Sequence, residues 1–482
     1  MSLRETNFDR MPASAGLQAL AAFKPRLPLP VTIFLIAVVL PVLFRVGPLA
    51  MSTLRAYLLV MIVPLTINLV KGKYGRLLFV DYLFFIHILW ALISLAVNNP
   101  DQVVENIGSN AIEFLGGYVL ARAYIQTKED FAALIKVLIF IIICTLPFAI
   151  HETITGRPII IETIRKLPGI SSVPIITKET RLGLERAQVT FAHPIHYGLF
   201  CSAAFSLAFV GMKNIIAGWK RYIASGIIGI CVFFSLSSGA LLPIVFQMFM
   251  IAWATSFNSI KQRWVLLIGL IVVAYIAIDL LSNRTPMKVF MSYATFSPHN
   301  AYWRSIIFEW GMINVWANPI LGIGLNDWVR PSYMNSGSMD NFWLVKAVRY
   351  GIPGFLFIAV GYFWALWKVA RRDFDNDQII WQFRRAWMFT FIGLSLTLST
   401  VHIWTSIYSF TFFLFGAGMW FITAEPEAKA DEDPRPQRGS ILLSRVDAQT
   451  QRIDNSPTRD TPAKPQRQKT KYTRFPSPYS KQ

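Results

Sequence analysis

Two cations sit where an apolar helix should carry none. Lys346 and Arg349 fall in the first three turns of an apolar segment spanning about residues 342–370. Three residues apart, they share one helix face. A cation in hydrocarbon costs at least a few kcal/mol, so both are expected to face a wet cavity that opens outward. Snorkelling to the headgroups is the alternative, and it suits Lys346 better. Just ahead of this helix stands Asp340, placed either to cap it or to act as a general base. Nine residues from Arg349, it would lie on the opposite face of an ideal helix, so no ion pair between them is expected.

A second set of cations occupies two long connections. Arg157, Arg165, Lys166, Lys178, Arg181 and Arg186 lie in the first, and Arg284, Lys288, Arg304 and Arg330 in the second. Loops on the outer side of a membrane ordinarily avoid such a load, although long ones partly escape the bias. Guanidinium forks match phosphate oxygens bidentately, so the chemistry they suggest is capture of an anion at the outer leaflet. His151, His193, His196, His299 and His402 map to the same side, and only His87 lies mid-span. Glu113, mid-span beside Asn110, Gly116 and Gly117, is either functional or an interhelical hydrogen-bonding group.

Several chemistries have no support. No phosphate-binding glycine loop, dinucleotide fingerprint, zinc-protease helix or C-x-x-C pair occurs, and Cys144, Cys201 and Cys231 lie singly in apolar blocks. No metal and no cofactor is expected. The net charge of +19 invites a nucleic-acid reading. The basic residues flank apolar segments, however, which is the positive-inside signature of a membrane protein, and no basic fold module accompanies them.

The elements that must position these groups are helices. Apolar residues make up 54% of the chain and charged ones only 15%, and the apolar residues come in continuous blocks instead of alternating, which disfavours a β-barrel. Apolar segments fall near 29–44, 53–70, 77–97, 104–124, 131–150, 193–212, 222–238, 240–257, 264–282, 342–370, 387–405 and 406–423. The expected fold is an all-α integral membrane protein of about 12 transmembrane helices. Residues 1–28 read as a cytoplasmic tail, 29–423 as the membrane domain with periplasmic loops 151–192 and 283–340, and 424–482 as a disordered basic cytoplasmic tail. Counting from a cytoplasmic N-terminus puts Lys71, Lys73, Lys213, Lys220, Lys261, Arg371 and Arg384 inside and both long connections outside.

Within the second connection, Trp303, Ile307 and Trp310 form one helical stripe, as expected for a helix lying at a membrane interface. Asn318-Pro319 should end it, Gly322 and Gly324 should turn the chain, and Pro353 between Gly351 and Gly354 should break the next helix at the cavity floor.

Three local patterns then carry a resemblance. They are Arg186-Ala-Gln-Val-Thr-Phe-Ala-His193-Pro-Ile-His196-Tyr-Gly198, the turn Ser237-Ser-Gly239, and Arg304 through Asn318-Pro319-Ile-Leu-Gly322-Ile-Gly324 to Asp340-Asn341-Phe-Trp-Leu344 and Arg349-Tyr-Gly351. In order and placement the chain resembles the O-antigen ligase and O-antigen polymerase superfamily of bacterial membrane glycosyltransferases, in particular its exopolysaccharide-polymerase branch. The resemblance implies a GT-C-like architecture. It also implies metal-independent transfer of glycan from an undecaprenyl-diphosphate donor onto an acceptor sugar hydroxyl at the periplasmic face of the inner membrane. By that analogy Arg186 and Arg304 bind the diphosphate, and Asp340 takes the place of the His in the pattern His-Asn-x-x-Leu and activates the acceptor hydroxyl. Arg349, Lys346, His193, His196 and Asn341 become substrate-binding. The departures are Asp340 for His, His196 for an Asn and a turn without its Arg; they favour a polymerase over a lipid A-core ligase.

The expected activity is therefore polymerisation of lipid-linked oligosaccharide repeats into exopolysaccharide or O-antigen, with an O-antigen ligase as the alternative. The expected partners are a lipid-linked donor, a glycan acceptor, membrane lipid, a chain-length regulator and other export proteins, with no nucleic acid. A flippase or secondary transporter is the rival class; it would show internal repeats and paired broken helices, whereas the one clear break here is near Pro353.

Overall fold

A computed structural model of the chain describes residues 26–425, apart from 48, 177–179, 284, 287–288, 290–297 and 375. Residues 1–25 and 426–482 of the expected tails, and with them Lys178, Arg284 and Lys288, lie outside the described residues. The order is α1 Leu29–Val39, a hairpin of β1 Val42–Val46 and β2 Leu49–Ser52, α2 Thr53–Val70 and α3 Phe79–Asn98. Next come α4 Val103–Ala111, a π-turn at Ile112–Gly116, α5 Gly117–Tyr124, α6 Lys128–Thr155, α7 Ile159–Arg165 and β3 Ser171–Ser172. There follow α8 Pro194–Ala203, α9 Gly218–Phe234, α10 Ser238–Ser256, α11 Arg263–Leu281, α12 Pro298–Ala317, α13 Phe342–Ala370, α14 Gln378–Leu398 and α15 Thr405–Gly416.

The molecule is an all-α membrane protein with one small sheet. All twelve apolar segments contain helix, but among the described residues eight helices are long and apolar enough to cross a membrane. The difference has local causes. The segment 29–44 stops being helical at Val39 and turns into the hairpin; 104–124 is cut by the π-turn; α9 is only 17 residues long. Helix α14 carries Arg384 and Arg385. The outward faces are apolar, as lipid requires: Val60 is 72% exposed, and α11 has no buried residue at all. The core is aromatic, with Phe114 meeting Phe84 and Phe412 at ring separations of 4.9 and 4.5 Å.

Two ion pairs, one buried and one half-buried, tie the N-terminal helices. Arg122 reaches Asp81 at 3.2 Å and Tyr118 donates to the same carboxylate, while Asp81 also accepts the Leu78 N–H at 2.7 Å. Asp81 thus closes the start of α3 and locks it to α5. Glu113 pairs with Arg55 at 2.7 Å, so of its two sequence roles the interhelical one is the one observed.

The sheet was not foreseen. Strand β1 pairs antiparallel with both β2 and β3, and Ser172 Oγ donates to the Pro41 carbonyl at 2.5 Å. It fastens the first long connection to the same end of the bundle as the turn after α1.

Helix α13 is broken where the sequence places Gly351 and Pro353. Gly351 has φ 71° and ψ 179°, and proline cannot donate to the Arg349 carbonyl. That carbonyl accepts instead from Gly324 N–H at 3.0 Å and Ser94 Oγ at 3.1 Å. The Val348 carbonyl takes Ile323 N–H at 2.9 Å, Ile352 N–H goes to the Pro319 carbonyl at 2.7 Å, and the Trp90 indole serves Tyr350 at 2.9 Å. Every carbonyl freed at the break therefore has a donor, as buried backbone demands. The loop after α12 threads onto the break, and only glycine fits: a Cβ on Gly322 would stand 2.5 Å from the Val348 and Arg349 carbonyl oxygens.

Candidate functional site

At the end of the bundle that holds both long connections lies a cavity of about 640 Å³. Its walls come from the segment before α8, the α9–α10 turn, α12, the stretch before α13 and the α14–α15 connection. Arg181, Arg186, His193, Arg304 and Asp340 line it. Four of the five had been reached through the resemblance; Arg181 had been noted only as one outer cation among many.

The guanidiniums are held by backbone. Arg181 Nη1 donates to the Leu236 carbonyl at 2.7 Å, and Arg186 Nε donates to that of Ser235 at 3.4 Å. Both carbonyls belong to the α9–α10 turn. The turn approaches α8 so closely that a Cβ on Gly198 would lie 2.4 Å from that of Ala240. Arg304 rides on α12, and its Nη1 is buried with no hydrogen-bond partner among the described residues.

Burial, and then the charge of Arg181, pull Arg186 down to about 10. Burial lowers Arg304 as well, with Asp340 opposing and Arg181 adding to the shift. A guanidinium nevertheless keeps its charge at neutral pH. A carboxylate near enough to be felt by Arg304 forms no direct ion pair with it among the described residues. Three guanidiniums and one carboxylate leave the cavity with surplus positive charge, and an anion with several oxygens would relieve it.

Asp340 is exposed and accepts a hydrogen bond from Ser338 Oγ at 3.0 Å. It does not cap α13. Asn341 does, its Oδ1 accepting Leu344 N–H at 3.0 Å. Asn341, expected to bind substrate, lines no cavity described here; its side chain is committed to the helix end, where the first N–H groups lack partners. His193 does line the cavity and also caps α8, its Nδ1 accepting Ile195 N–H at 3.1 Å.

Two further expectations need correction. His196, three residues into α8, faces the bundle, is fully buried and lies under the Trp404 ring at 4.0 Å. It lines neither cavity described here. Lys346 was expected to look into water beside Arg349. Instead it is 5% exposed and boxed by Phe342, Tyr350 and Tyr408 at 5.3, 5.6 and 4.8 Å, with Nζ donating to Tyr408 Oη at 3.1 Å. Aromatic faces and one hydroxyl take the place of water around the ammonium. Arg349 alone keeps the expected exposure, and it lines a second cavity of about 370 Å³.

Ser338, His402 and Trp404 line both cavities. Sequence reasoning had placed His402 on the outer side without a role and had not noticed Trp404. The available signal was an aromatic and a histidine in a short polar break between two apolar spans. Burial, followed by the charges of Lys346 and Arg349, pushes His402 from 6.5 down to about 3, so its ring is neutral. Three other outer cations are engaged locally: Arg157 with Glu162 at 2.8 Å, Arg165 with the Val173 carbonyl at 2.8 Å, and Arg330 with Asp327.

Residues 223–359 match the model of a family described as O-Antigen ligase. The matched stretch runs from α9 into α13 and contains Arg304, Asp340 and Arg349, while Arg181, Arg186 and His193 precede it. It supports the resemblance to the O-antigen ligase and polymerase superfamily. No curated protein matches the chain.

Proposed function

We propose that the chain is a membrane glycosyltransferase that joins lipid-linked oligosaccharide repeats into a polysaccharide, and that the larger cavity holds the donor's diphosphate. What carries this reading is the convergence of Arg181, Arg186 and Arg304 on one cavity with Asp340 as its carboxylate. In the step envisaged, the acceptor hydroxyl oxygen attacks the anomeric carbon of the donor glycan. The bond from that carbon to the phosphate oxygen breaks, and the diphosphate departs with the electron pair. Guanidiniums aimed at the leaving group stabilise the charge it develops. Asp340 accepts the hydroxyl proton, and the Ser338 hydrogen bond orients the carboxylate. None of these roles requires a metal ion.

In this reading the protein sits in the cytoplasmic membrane with both termini inside and the cavity on the periplasmic side, where carrier lipid and export machinery meet it. Its partners are a lipid-linked donor, a glycan acceptor and proteins that set chain length.

The test is reconstitution of the full chain in vesicles with a lipid-linked repeat and no energy source. Chain growth supports the proposal; absence of any transfer ends it. The family description favours one second reading, ligation of finished glycan to a lipid acceptor. A deletion strain separates the two, since single lipid-linked repeats accumulate without a polymerase and long unattached polymer without a ligase.

A further inference from the structure

The smaller cavity differs in chemistry from its neighbour. Its wall brings together Asn326, Asp327, Ser338, Arg349 and Trp404. Only one of these is a cation, against three guanidiniums next door. Asn and Ser side chains both donate and accept, which is what a set of neighbouring hydroxyls requires. Trp404 is 39% exposed, so part of its indole is free to cover an apolar ring face. The volume falls within the range of small-molecule sites, roughly 300–1,000 Å³.

The wall is built before any ligand arrives. Asn99 Nδ2 donates to Asn326 Oδ1 at 3.0 Å, and Asn99 Oδ1 accepts Leu325 N–H at 2.8 Å, fastening this loop to the end of α3. The Trp328 indole donates to the Gly337 carbonyl at 3.1 Å. Trp404 stands edge-on to His196 at 4.0 Å and near-parallel to His402 at 5.9 Å. A rigid wall lowers the ordering cost of binding. The place also matters: Ser338, shared by both cavities, is hydrogen-bonded to Asp340.

We propose that the smaller cavity is the acceptor subsite. It takes the sugar whose hydroxyl attacks, one ring face against Trp404 and hydroxyls toward Asn326, Asp327 and Arg349, with the attacking hydroxyl presented past Ser338 to Asp340. Trp404 then divides donor from acceptor. This rests on the reading of the larger cavity as the donor's.

The probe is the lipid-free repeat oligosaccharide released by mild acid from the host strain's lipid-linked intermediates. It is titrated calorimetrically into the detergent-solubilised full chain with no donor present. W404A and R349Q should each weaken its affinity at least about tenfold. W404F should stay close to wild type, and R304A should bind as wild type does. Because the Arg349 side chain is exposed, R349Q keeps the test valid should W404A fail to fold. Absence of binding to wild type up to about 10 mM, unchanged affinity in R349Q, or loss of binding in R304A would each overturn the assignment. If the oligosaccharide binds with the expected pattern while vesicles show no transfer from the lipid-linked donor, the cavity stands as a sugar-binding site, and its acceptor role falls together with the polymerase reading.

Discussion

Asp340 and Asn341 are adjacent in the chain and have divided two duties between them. Asn341 Oδ1 takes the Leu344 N–H at 3.0 Å and closes the first turn of α13; Asp340 lines the cavity and takes the Ser338 hydroxyl. The carboxylate is therefore free of the capping task. The two variants should separate cleanly. D340N should lose transfer with its unfolding temperature unchanged, whereas N341A should lose about 1 kcal/mol of stability and retain turnover. Full activity in D340N would leave the general-base role without support.

Arg304 has a buried nitrogen with no hydrogen-bond partner among the described residues and a charge that burial disfavours. R304A should insert and fold, since nothing among the described residues hydrogen-bonds that nitrogen, yet lose about 10²–10³-fold in transfer rate. R304K should not restore it, because an ammonium cannot make the bidentate contact. Polymer length on gels and initial rates in vesicles both report this.

Lys346 lies outside the cavity, so its replacement distinguishes the observed arrangement from the expected one. A methionine of similar length keeps the contacts with the aromatic rings and removes the cost of burying a charge, at the loss of the hydrogen bond to Tyr408. K346M should stay folded and keep transfer within about threefold of wild type. A collapse of activity with the fold intact would return Lys346 to the site.

The break in α13 depends on Gly322, whose φ is 65° and whose missing Cβ makes room for two carbonyls. G322A should cost roughly 1–3 kcal/mol, seen as a lower unfolding temperature in detergent. It should also displace Arg349, whose carbonyl receives the Gly324 N–H.

His402 sets an acid limit. Its folded-state value of about 3 lies below its ordinary 6.5, so the unfolded chain binds a proton that the folded chain refuses. The resulting stabilisation is complete above pH 6.5 and is lost progressively as pH falls toward 3. H402F should keep the stacking with Phe342 and Trp404 and flatten the acid limb of the stability profile. An identical acid limb in both proteins would remove this assignment.

The apolar blocks alone determined that the chain is helical and built for a membrane, because continuous stretches of that length have no other way to satisfy their backbone in lipid. The breaks were legible for the same local reason. Asn318-Pro319 ends α12, and Gly322, Gly324 and Gly351 carry positive φ, each following from the backbone freedom of one or two residues. So was the gathering of cations at one end, since alternating spans sort the connections into two groups. Packing decided the rest. Which of Arg181, Arg186 and Arg304 share a basin, that Lys346 and His196 turn inward, and that His402 and Trp404 partition two cavities all depend on contacts between residues far apart in the chain. Helical period assigns a side chain to a face, but whether that face meets water, lipid or an aromatic box is settled by the helix opposite. Tyr408, 62 positions beyond Lys346, accepts its hydrogen bond, and no local pattern announces that meeting.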